Sequence, residues 1–174
     1  MPKRGRAVID TRVRLCSDAD DIIQRAGVPT MDKQVINADV PETGGPFNLC
    51  VRYGNLIFIS GLPPFDAEFS GRLRDARARA DCRCRRFRIC HSQRQARIVM
   101  DHLKRLVEAA GSNMDCLLKV IVWLKDQRQQ EEFDRIYRSY FTGTATLPAR
   151  TRMQAGRTPL DCGLEVEAIG YVPD

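Results

Sequence analysis

Two hydrophobic periods alternate along this chain. Cys50 to Tyr53 and Leu56 to Gly61 are short apolar runs around Gly54-Asn55. A two-residue loop of that kind tolerates the positive φ that a primed turn demands, so a β-hairpin is expected here, ended by Pro63-Pro64. Residues 93–110 switch to the helical period, with Ile98, Val99, Leu103, Leu106, Val107 and Ala110 on one face and Arg97, Asp101, Lys104, Arg105 and Glu108 mostly opposite. Gly111 supplies the stop. Cys116 to Leu124 is rich in β-branched residues and reads as a central strand. Glu131 to Phe141 returns to helical spacing, with Phe133, Ile136, Tyr137 and Phe141 as its apolar stripe and Pro148 beyond its end. Thr151 to Ala155 and Leu164 to Val172 read as strands on either side of the turn at residues 158–163.

The resulting order, ββ, α, β, α, ββ, predicts an α+β sandwich with both helices on one face of the sheet. That layout leaves the opposite face uncovered although its strands are apolar, and self-association is the expected cover. The domain is expected over 31–174, entered through a turn-rich segment at Pro41 to Pro46. Residues 1–30 are expected to be a basic, disordered leader. One stretch breaks the pattern: at about 72–95, arginines crowd together with Cys82, Cys84, Cys90 and His91, and no amphipathic period survives. An exposed or unstructured insert is the expectation.

Composition changes this picture little. With 174 residues, 43% of them apolar, and a mean hydropathy of -0.35, the chain suits one soluble domain. No apolar stretch approaches the roughly 18–20 residues of a membrane span, and the charged N-terminus lacks the apolar core of a secretory signal, so a cytoplasmic location is expected. The net charge of +6 suggests a polyanion partner until it is located. Residues 1–30 hold six Lys/Arg against four Asp/Glu, and residues 71–97 hold ten Arg against two Asp, so the remainder is net acidic. Nucleic acid is therefore not expected as a partner of the domain body. Seven cysteines, an odd and scattered set, do not form a disulfide framework. Cys-x-Cys followed by Cys-His lacks paired zinc spacing, and no glycine-rich nucleotide loop is present; neither a metal nor a bound nucleotide is expected.

Four motifs occur in order at domain-scale spacing: Gly45-Pro46-Phe47, Ile59-Ser60-Gly61-Leu62-Pro63, Pro148-Ala149-Arg150 and Leu164 to Ile169. Together with the helix end Ala109-Ala110-Gly111 and the strand end Val122 to Asp126, this set resembles the RidA/YjgF family, also labelled endoribonuclease L-PSP, from about residue 41 to the C-terminus. The resemblance implies a chorismate-mutase-like fold with a mixed sheet, a homotrimer with sites in the clefts between subunits, and cofactor-free hydrolysis of 2-imino acids or their enamine tautomers to 2-oxo acids and ammonia.

Such a substrate offers a carboxylate and an electrophilic C=N carbon. An arginine fork holds a carboxylate through two charge-assisted hydrogen bonds and fixes its plane. The resemblance gives that role to Arg150, and gives Glu165 the placing or deprotonation of the attacking water. Ser60 and Gly61 match the family's substrate-contacting strand end. Three positions depart from the family: Phe47 stands where a tyrosine is common, Arg152 where a small residue or cysteine is common, and Arg128 where asparagine is frequent. Extra arginines lining the cleft would favour a second carboxylate, so a dicarboxylic enamine such as 2-aminomuconate is an alternative substrate. RNA binding or cleavage through the arginine-rich stretch is a third reading, and a non-catalytic ligand-binding trimer is a fourth.

Overall fold

The structure, a computed structural model, describes residues 32–66 and 92–174. The expectations for the leader, for the insert up to residue 91, and for its cysteines and His91 lie outside those residues. Residues 92–95 belong to a helix rather than to the insert, which corrects the expected boundary.

Six strands form one mixed sheet: β1 (Lys33–Ile36), β2 (Cys50–Tyr53), β3 (Leu56–Leu62), β4 (Leu117–Leu124), β5 (Ala149–Gln154) and β6 (Leu164–Tyr171), in the spatial order β1-β2-β3-β6-β4-β5. The helices are α1 (Ser92–Ala109) and α2 (Gln130–Arg138). All neighbours run antiparallel except β4 and β5, whose parallel pairing is bridged by α2. The turn between β2 and β3 carries its positive φ at Gly54, the residue that a II′ turn requires to be glycine. Gly111, at φ 85, ends α1 as expected. β1 is a strand that the pattern did not announce. Only four residues long and largely exposed, it has no amphipathic repeat to display.

Alternation along the strands sorts the residues onto two faces. Ile57, Ile59, Val120, Val122, Leu124, Leu164, Val166 and Ala168 turn toward the helices and pack with Val99, Leu103, Leu106, Val107, Phe133, Ile136 and Tyr137. The other face carries Phe58, Lys119, Ile121, Trp123, Glu165, Glu167 and Ile169, and both Phe58 and Ile169 are exposed. A hollow of about 230 Å³ opens there between Phe58, Lys119, Ile121, Glu167 and Ile169. Cys50, Cys116 and Cys162 are buried free thiols. Among the described residues no helix is long and apolar enough to cross a membrane.

Candidate active site

Glu165 owes its position to an irregularity in the sheet. Ile59 pairs with Ala168 and Leu62 with Val166, so Ser60 and Gly61 together face the single residue Glu167. This is a β-bulge, which re-aims side chains beside it. At Gly61 the Glu165 carboxylate lies directly over the backbone: a Cβ there would sit 2.0 Å from Oε1 and 2.8 Å from Cδ. Glycine is therefore needed for the carboxylate to occupy that spot. Burial raises the Glu165 pKa above its ordinary 4.5, and the neighbouring Glu167 charge raises it further. The Trp123 indole donates to Glu167 Oε1 at 3.4 Å.

Ser60 ties this cluster to the loop before β2. Its hydroxyl donates to the Asn48 carbonyl at 2.8 Å, and its N–H to the Leu49 carbonyl at 3.0 Å. Phe47, immediately before Asn48, is half exposed, and its ring lies against Gly45. The loop and α1 enclose a cavity of about 500 Å³ lined by Phe47, Asn48, Leu49 and Leu106 among others. Ser60, Gly61 and Glu165 thus form one group, joined through the Asn48 carbonyl to the loop that carries Phe47. Behind it, the buried Gln95 of α1 accepts the Gly163 N–H at 2.7 Å, fixing the turn that leads into Glu165.

Arg150 belongs to a different group. In the parallel register it pairs with Val120, and Arg152 with Val122, so both arginines point to the helix side while Thr151 points to the open side and accepts from Lys119 Nζ at 2.7 Å. Trp123 pairs with Glu165, which places that carboxylate on the opposite face from Arg150. Within one chain the two principal candidates therefore do not meet. Arg150 instead reaches α2: Nη1 lies 2.9 Å from Asp134 Oδ1, and its guanidinium carbon is 4.7 Å from the centre of the Tyr137 ring, at cation–π distance. Burial pushes the Tyr137 hydroxyl up to about 12, so the ring stays neutral.

Arg152 shares the same acceptor. Its Nη1 lies 3.2 Å from Asp134 Oδ2, its Nη2 donates to Gln130 Oε1, and its buried Nε has no partner. It neither points to solvent nor stands unpaired in a cleft. Arg128 is 90% exposed and forks onto Asp126, with Nε–Oδ1 at 3.0 Å and Nη2–Oδ2 at 2.6 Å. That pairing holds the Asp126 carboxyl down to about 2. Asp134 is the residue that sequence reasoning missed; β5 carries two alternate arginines, but which helix position answers them becomes visible only after α2 docks. Among the described residues no three metal-ligand side chains converge.

The family described as Endoribonuclease L-PSP matches residues 37–172. A 2-iminobutanoate/2-iminopropanoate deaminase of Escherichia coli is 31% identical over 140 residues, spanning 80% of this chain and 97% of that protein. A RutC family protein of Pyrococcus horikoshii is 28% identical over 145 residues, spanning 81% and 98%. Among solved structures, the YjgF gene product of E. coli matches with a TM-score of 0.66 at 27% identity, covering 82% of this chain and all of that one. E. coli TdcF with bound serine matches with a TM-score of 0.65 at 26% identity, covering 79% and 98%. With the family match running through both the Glu165 and the Arg150 groups, the chain belongs to the RidA/YjgF family.

Proposed function

We propose that this chain is a cofactor-free hydrolase of small 2-imino acids and their enamine tautomers, working as a homotrimer whose sites lie between copies. The observation that carries this reading is the separation of Arg150 and Glu165 onto opposite faces of one sheet. Arg150 stands on the edge strand, and Glu165 on the apolar face that lacks a cover. Packing the open face against the edge of a second copy would bury Phe58 and Ile169 and unite the two groups. The kinship to a 2-iminobutanoate/2-iminopropanoate deaminase supports the reaction class. A relative in fold holding serine, a small amino acid with one carboxylate, supports the size and charge of the ligand.

In this reading the guanidinium of Arg150 grips the substrate carboxylate and so sets the plane of the C=N bond. Glu165 of the next copy takes a proton from water as the oxygen bonds to the imine carbon. The same proton then passes to the nitrogen of the tetrahedral adduct; Glu165 next moves the adduct's hydroxyl proton to that nitrogen, and as the C–N bond breaks and the C=O bond forms, ammonia leaves behind a 2-oxo acid. A carboxylate raised above its ordinary pKa suits the removal of a proton from water, since it is a stronger base than an ordinary one.

The test is to generate 2-iminobutanoate in situ with an amino-acid oxidase and follow 2-oxobutanoate release. The chain is expected to accelerate release well above the spontaneous rate at catalytic concentrations. Release at the spontaneous rate over a panel of small imino acids would refute the reading.

A further inference from the structure

The charges around Arg150 bear on which imino acids the site accepts, an inference that rests on the function proposed above. Arg150 and Arg152 are two residues apart on β5 and both converge on Asp134, at 2.9 and 3.2 Å. All three side chains are only 22–23% exposed, so water screens them weakly. Two guanidinium groups and one carboxylate leave a single net positive charge. Arg152 commits its head to Asp134 and Gln130, and the other arginine that departs from the family pattern, Arg128, commits its own to Asp126. Neither departure therefore offers a free cation to a second substrate carboxylate. Asp134 already takes up the Arg152 guanidinium that such a group would need.

We infer that Asp134 is a specificity-determining residue: as a built-in anion it occupies Arg152, leaves the cluster able to neutralise one carboxylate, and selects monocarboxylic over dicarboxylic substrates. Arg152 is its necessary counterpart. Without Arg152, Asp134 would belong to Arg150 alone and cancel the charge needed for the substrate. A dianion entering the intact cluster would leave one negative charge unbalanced in a poorly screened site, a repulsive device of the kind by which binding sites discriminate.

The two residues make opposite predictions, which equilibrium binding can read without turnover. Titration calorimetry with 2-oxobutanoate and with 2-oxoglutarate is expected to show the wild-type chain binding the monocarboxylate at least about tenfold more tightly. In Asp134→Asn that ratio is expected to fall by about tenfold or more, through a gain on the dicarboxylate. In Arg152→Met, monocarboxylate binding is expected to weaken by about tenfold, and this second variant carries the test if the first fails to fold. A wild-type preference for 2-oxoglutarate, binding of neither acid, or an unmoved ratio in the folded variants would overturn the inference. A wild-type chain that binds 2-oxobutanoate but leaves imines untouched would refute the hydrolase reading and support this one.

Discussion

On the helix side of the sheet, Arg150 and Arg152 find Asp134, Gln130 and the Tyr137 ring within the same chain, and the residues around them are closed into the core. On the other side, Glu165 and Glu167 stand two residues apart, and among the described residues neither carboxylate takes part in an ion pair; Phe58 and Ile169 beside them meet solvent. The first surface is complete in one copy of the chain. The second holds like charges and apolar area together, a combination that costs free energy in isolation and is relieved when a cation and an apolar partner arrive. Under the proposed function, the contrast means that the substrate grip and the proton carrier lie on separate faces of one sheet, and that packing of copies would be what makes them one site.

The largest effect expected follows directly. Arg150→Ala should lose the carboxylate grip, and Glu165→Gln should lose the proton carrier, each lowering imine hydrolysis by about 10²-fold or more. Co-expressed, the two variants should recover about a quarter of wild-type activity, because in a randomly mixed ring one site in four unites an intact arginine with an intact glutamate. A mixture as inactive as its components would show that the two faces do not meet across copies.

A smaller effect tests the bulge. Gly61→Ala would place a methyl group 2.0 Å from the Glu165 oxygen, and the carboxylate, being the free end of a side chain, must rotate away. Turnover should drop by about tenfold, with melting temperature and KM close to wild type. Equal damage to turnover and to melting would mark Gly61 as structural only.

The smallest effect is a displacement along the pH axis. Replacing Glu167 with Gln removes the like charge that helps to raise Glu165, so the acid limb of kcat/KM should move to lower pH. The sign for stability follows from the same linkage. A carboxyl raised in the folded state contributes stability that is fully present below the ordinary 4.5 and is lost as pH rises through the raised value. Glu167→Gln should therefore melt at a higher temperature than wild type above that window, and an unmoved acid limb would remove Glu165 from the proton-transfer step.

Much of this was legible in the chain because the elements are long and periodic. The stripe Phe133, Ile136 and Tyr137 is buried as its spacing implied, and Phe141 falls beyond the end of α2. The strand from Cys116 begins one residue later, after a turn of 3-10 helix over Met114–Cys116. Arg150, Glu165, Ser60 and Gly61 could be picked out by motif. Their division between two faces could not, since it depends on β5 pairing parallel to β4 rather than on any local pattern. The role of Arg152 was open for the same reason: its partner lies 18 residues away on a helix, and arginines alternating along a strand do not declare what they will meet.

Burial of the cysteines gives the folded chain an internal clock. Desolvation lifts the Cys50 and Cys162 thiols to about 11, and Cys162 donates to the Leu164 carbonyl at 3.2 Å. At neutral pH the reactive thiolate is therefore almost absent from the closed state, and alkylation proceeds only through openings that bring water to the sulfur. The alkylation rate of Cys50 is expected to follow the parting of the β2–β3 hairpin from the core. The alkylation rate of Cys162 is expected to follow the loosening of the turn that delivers Glu165, so that the two rates would separate the fraying of the scaffold from the fraying of the site.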